Sequence, residues 1–113
     1  MIVIYHNPKC TKSREALEII KTSGKEFKIR EYLKDPLSED ELNGLLKKLQ
    51  FSPLQLVRQN ESVWKDNFKS LNLSDRELIS IMAKHPKIIE RPVVENDNRA
   101  VVGRQPSNID LIL

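Results

Sequence analysis

A run of β-branched and aromatic residues, Ile2-Val3-Ile4-Tyr5, stops at Asn7-Pro8, and a helical pattern begins directly afterwards. This abrupt change of period constrains the fold more than any other stretch. A buried strand must end where a turn forms, and a helix must start within a few residues of it. Ala16, Leu17, Ile19 and Ile20 recur at helical spacing, Lys12, Glu15, Glu18 and Lys21 occupy the opposite face, and Gly24 stands at the C-terminal stop. The only cysteine of the chain, Cys10, falls at the N-terminus of that helix.

A helix start carries unpaired backbone N–H groups and the positive end of the helix dipole, both of which favour an anion. A thiolate is an anion, so the position predicts a lowered cysteine pKa and a nucleophile available near neutral pH. A free cysteine is commonly a small buried hydrophobe. Here its neighbours Lys9, Thr11, Lys12, Ser13 and Arg14 are polar or cationic, which favours the reactive reading.

The spacing predicts a second strand at Phe27–Arg30, with Phe27 and Ile29 on the inner face, and a turn at Asp35-Pro36. A strand-helix-strand opening with a right-handed crossover makes those two strands parallel. A helical block follows, over about 38–86. Ser38 and Glu41 form a capping-box pair ahead of the stripe Leu42, Leu45, Leu46 and Leu49, and Ser74 and Glu77 repeat it ahead of Leu78, Ile79, Met82 and Ala83. Ser52-Pro53 opens a helix whose apolar side is Leu54, Leu56 and Val57. Between Asn60 and Leu73 the signal is poor, and Val63, Trp64, Phe68 and Leu71 fit either another short helix or an ordered loop. A hairpin is predicted from Val93-Val94 to Ala100-Val102 around Glu95–Asn98, and Ser107 caps a last helix carrying Ile109, Leu111 and Ile112. The order βα, β, helical block, ββα, with no repeat or linker, points to one domain spanning 1–113.

The formal charge of +3 is spread along the chain, so nucleic-acid binding is not indicated, while a local anion site remains open. One cysteine excludes an internal disulfide and a multi-cysteine zinc site. No long apolar segment indicates a signal peptide or membrane span, and the expectation is a reduced, cytoplasmic protein.

Cys10-Thr11-Lys12-Ser13 has the spacing of a redox C-x-x-C with serine in the second position. A single thiol there can form a covalent adduct but needs an external thiol to resolve it. Ser13 either hydrogen-bonds the thiolate or a bound anion, or is an exposed first-turn residue. His6 either supports the thiolate or satisfies a strand end; with Cys10 and distant His85 it makes no recognisable metal set. A cysteine phosphatase loop would require arginine at the position of Ala16.

HNPKCTKSR, LVRQN around Arg58, ERPVV around Arg91 and VGRQPSNI around Arg104 together resemble the glutaredoxin-linked arsenate reductase family, nearly end to end. That resemblance implies an α/β, thioredoxin-like fold with a mixed four-stranded sheet and an inserted helical block, with Pro92 as the cis-proline beside the cysteine. It implies an oxidoreductase in which Cys10 attacks arsenate while Arg58, Arg91 and Arg104 hold the oxyanion, His6, Thr11 and Ser13 lend support, and glutathione and glutaredoxin supply the reducing thiols. No bound cofactor or metal is implied. Thr11 and Gln105 depart from the family pattern, which has glycine and proline there. The alternatives are a redox regulator of the same fold that binds RNA polymerase, and a glutathione-dependent thiol enzyme with another substrate. Ser13 counts against the first, since such regulators often use a C-x-x-C switch.

Overall fold

A computed structural model describes all 113 residues. Four strands form one mixed sheet: β1 (Ile2–Tyr5), β2 (Phe27–Arg30), β3 (Val93–Asn96) and β4 (Arg99–Val102), in the order β2-β1-β3-β4. β1 runs parallel to β2, with Ile2 opposite Phe27, and antiparallel to β3, with Ile4 opposite Val94; β3 and β4 are the antiparallel hairpin. α1 (Thr11–Thr22) is the crossover that makes β1 and β2 parallel, and α6 (Pro106–Asp110) follows β4. Ile2, Ile4 and Val94 from the sheet, Ala16 and Ile20 from α1, and Ile109 and Ile112 from the C-terminal segment bury one another on one face. This is a thioredoxin-like α/β arrangement.

The chain separates into two compact units, one of residues 1–35 and 91–113 and the other of residues 36–90. The second interrupts the first between β2 and β3 and is entirely helical apart from one bridge. It holds α2 (Glu39–Leu49), α3 (Pro53–Leu56), α4 (Ser62–Asn67), α5 (Asp75–Lys84) and a 3-10 turn, Pro86–Ile88. Ser38 and Ser74 each accept from the N–H of the glutamate three residues on, and each glutamate answers the serine N–H, so both capping boxes are complete. α5 packs against α2, α3 and the 3-10 turn, burying the predicted leucine stripe with Leu78, Ile79 and Met82. No helix is long and apolar enough to cross a membrane.

Several local expectations change. Residues 60–73 take the short-helix form of the two left open: α4 has 6 residues and is anchored by buried Trp64, whose ring lies tilted against Phe68 at a centroid distance of 6.2 Å. Val57 ends α3 and pairs antiparallel with Ile89, and Leu54 is exposed, because a helix of 4 residues has only one side to bury. Ile29 is exposed too: β2 is an edge strand, and only Phe27 reaches the core. The hairpin turn narrows to Asp97-Asn98, with Asp97 in the left-handed region at φ 56°. α6 begins at Pro106 with Gln105 as its N-cap rather than Ser107, since the fixed proline φ suits the first helical position; Leu111 is exposed beyond its end.

Candidate active site

The strand-to-helix junction is built by short-range hydrogen bonds. Asn7 Oδ1 accepts from the Lys9 N–H at 3.1 Å, the Cys10 N–H donates to the Asn7 carbonyl at 3.0 Å, and the Arg14 N–H closes the first helical turn on the Cys10 carbonyl at 3.0 Å. Cys10 is therefore the N-cap of α1, with extended backbone at φ −96° and ψ 123°, and its side chain makes no regular capping hydrogen bond. The free N–H groups of the first turn face its sulfur instead. Burial pushes the thiol pKa up, but the Ser13 N–H, the Arg91 guanidinium, by hydrogen bond and by charge, and the Lys12 N–H outweigh it, and the pKa is lowered.

Arg91 arrives from the far end of the chain, at the entry to β3, where the Arg91-Pro92 peptide is cis. Its Nε is buried and has no hydrogen-bond partner in the protein. Buried donors without acceptors are uncommon, and leaving one unmade costs about 1–3 kcal/mol. A guanidinium that lowers the pKa of the Cys10 thiol and carries a further buried donor has the chemistry of an anion site.

His6 and Ser13 lie behind the cysteine rather than on it. Both are buried, with His6 Nδ1 2.6 Å from Ser13 Oγ, and the Asn7 N–H also donates to that hydroxyl, at 3.0 Å. Burial lowers the His6 pKa; Glu31 opposes this, and Lys21 and Arg14 reinforce it. Neutral His6 with an acceptor at Nδ1 satisfies all three groups when the Ser13 hydroxyl donates to it. His6 thus brings no positive charge to the thiolate, and Ser13 is neither an exposed first-turn residue nor free to offer its hydroxyl. It is the Ser13 main chain that meets the sulfur.

Thr11, the departure from glycine, is the first residue of α1. Its hydroxyl accepts from Arg14 Nη2 at 3.2 Å, while Arg14 Nη1 donates to the Pro8 carbonyl at 3.3 Å, so Arg14 bridges the two sides of the cysteine loop. The Asn7-Pro8 turn lies where the residue types place it, whereas the Arg14 bridge does not follow from residue types alone. Arg104 is exposed on the turn after β4, and the Gly103 N–H beside it donates to the Pro92 carbonyl at 2.7 Å, tying that turn to the Arg91-Pro92 step. Arg58 belongs to the helical unit, where its Nη1 pairs with Glu61 Oε2 at 2.9 Å. No group of three or more His, Cys, Asp or Glu side chains is gathered in a way that could hold a metal ion.

Compared with known families, residues 5–112 match the ArsC family. The chain belongs to that family. It is 38% identical over 114 residues to a Haemophilus influenzae protein named arsenate reductase, covering 99% of this chain and 98% of that one. It is 40% identical over 110 residues to the uncharacterized protein YfgD of Escherichia coli K12, covering 96% and 92%. The structure of an arsenate reductase from Vibrio cholerae superposes with a TM-score of 0.93 at 39% identity, over 99% of this ArsC-family chain and 97% of the other.

Proposed function

We propose that this ArsC-family protein is an arsenate reductase that works through a covalent adduct on Cys10. The observation that carries the proposal is the Cys10–Arg91 pair, a thiolate at a helix start beside a guanidinium that keeps a buried, unpartnered Nε. Full-length similarity to proteins named arsenate reductase supports the choice of oxyanion.

In this reading Cys10 attacks arsenic, a hydroxyl of arsenate leaves as water, and a sulfur–arsenic bond forms. Arg91, Arg58 and Arg104 hold the oxygens, a task that suits guanidinium groups because they present several fixed donors to a tetrahedral anion. His6, through Ser13, holds the first turn of α1 so that the Ser13 and Lys12 N–H groups face the sulfur. Glutathione then displaces a second arsenic-bound hydroxyl, which leaves as water. A glutaredoxin thiolate attacks the glutathione sulfur, the glutathione–arsenic bond breaks with its electron pair left on arsenic, and As(V) becomes As(III) as the two thiols leave as a mixed disulfide. Water then displaces the Cys10 sulfur from As(III), regenerating the thiol and releasing arsenite. With one cysteine the chain has no resolving thiol of its own, consistent with reductants from outside. A glutathione-rich, reducing compartment such as the cytoplasm suits that supply.

The test is arsenate reduction by purified protein with glutathione and glutaredoxin supplied separately and together. Turnover requiring both, and abolished in Cys10→Ser, is expected. Turnover surviving in Cys10→Ser overturns the adduct; inactive wild-type protein overturns arsenate as the substrate.

A further inference from the structure

Arg58 is held by its main chain and by one edge of its side chain. Its N–H donates to the Ile88 carbonyl at 2.6 Å, Val57 beside it pairs antiparallel with Ile89, and the Glu90 N–H donates to the Leu56 carbonyl at 2.8 Å. The chain then turns, with the Glu61 N–H donating to the Arg58 carbonyl at 3.1 Å, and Glu61 becomes the N-cap of α4.

An acceptor side chain at an N-cap ordinarily takes a free N–H of its own helix, as Ser38 and Ser74 do in this unit. Glu61 makes no capping bond. Its carboxylate turns to Arg58 Nη1 at 2.9 Å, and the Ser62 hydroxyl donates to the other oxygen at 3.4 Å. The two side chains are only 33% and 19% exposed, so this is not a solvated surface pair. The carboxylate engages Nη1, the one Arg58 side-chain donor with a partner in the protein.

We propose that Glu61 is a positioning residue for Arg58: it fixes the guanidinium through Nη1 and leaves the Nη2 and Nε donors for the oxyanion. This rests on the reading of Arg58 as an oxyanion ligand. A long arginine side chain loses rotamer freedom when it binds, and one already immobilised loses less, so the pair lowers the cost of capture. The opposing effect is the negative charge that Glu61 brings. Glu61→Gln separates the two, because it keeps an acceptor of the same length and removes the charge.

Steady-state arsenate kinetics of wild type, E61A, E61Q, R58A and R58A/E61A test the proposal, alongside arsenate protection of Cys10 from iodoacetamide, which reads binding without turnover. E61A is expected to raise the KM for arsenate about tenfold, with little change in kcat, as displacement of a substrate-holding group does. E61Q should bind arsenate at least as well as wild type. In the R58A background E61A should add nothing, because a residue acting through Arg58 has no effect once Arg58 is gone. An E61A effect of equal size in both backgrounds marks a merely structural role and overturns the proposal, as does wild-type KM and protection in E61A. If R58A itself leaves both readouts unchanged, Arg58 is not a ligand and the underlying reading falls; if R58A weakens binding and E61A does not, only the positioning role falls.

Discussion

Arg91 acts on Cys10 by charge and by hydrogen bond, so its removal is read directly at the sulfur. In Arg91→Ala the thiol pKa should rise, and alkylation by iodoacetamide near pH 6, expected to be fast in the wild type, should slow toward the rate of a free thiol. Thiolate ultraviolet absorbance followed against pH gives the same answer independently. Ser13 works differently, as a buried hydroxyl shared by His6 and the Asn7 N–H. Ser13→Ala leaves both partners unsatisfied and should cost about 1–3 kcal/mol in urea denaturation. The gain in helix propensity of a few tenths of a kcal/mol is too small to offset it. The position of Cys10 at a helix start is legible from the residues around it. The Ser13 partnership is not, because it needs a strand-end side chain and a first-turn side chain to meet within one buried spot.

Elements with complete local signals were readable directly. The two Ser-x-x-Glu boxes and the leucine stripe set α2 and α5 without help from the rest of the molecule. α4 has no such box, and buried Trp64 is what fixes it in place, so its cause lies in packing that no window of sequence displays. β2 shows the same limit in reverse: Phe27 and Ile29 alternate as an inward pair would, yet the strand lies at the sheet edge, where Ile29 has nothing to cover it. The link from β4 to α6 gives the sharpest test at this scale. A Cβ on Gly103 would lie 3.1 Å from Ile109 and 3.3 Å from Pro92 Cγ, and Ile109 is fully buried in the sheet-unit core. Gly103→Ala should therefore displace α6 and cost about 1–3 kcal/mol, seen as a lower melting temperature. On the proposed role of Arg104, which follows immediately, arsenate binding should weaken in the same variant.

At the scale of the whole molecule, buried His6 makes stability depend on pH. Burial lowers its pKa in the folded chain, whereas the unfolded chain takes up the proton at about pH 6.5. Below that value the unfolded state binds more protons, so stability falls as the pH falls, and above it His6 contributes no slope. Urea midpoints at pH 7 and pH 5 should differ more in the wild type than in His6→Gln, the comparison cancelling the carboxylates common to both. An equal difference in the two proteins would show that His6 does not titrate in this range.

The sheet edge at β2 has a further consequence for how copies of this protein share a solution. A short outer strand with an exposed Ile29 is the sort of ribbon to which a neighbour's backbone could add. Lys28 precedes that isoleucine, while Arg30 after it is paired with Asp35, so the ammonium of Lys28 is the charge that two such edges would bring together along the seam. The same exposed position that departs from the sequence pattern thus has beside it a lysine of the kind that opposes edge-to-edge addition.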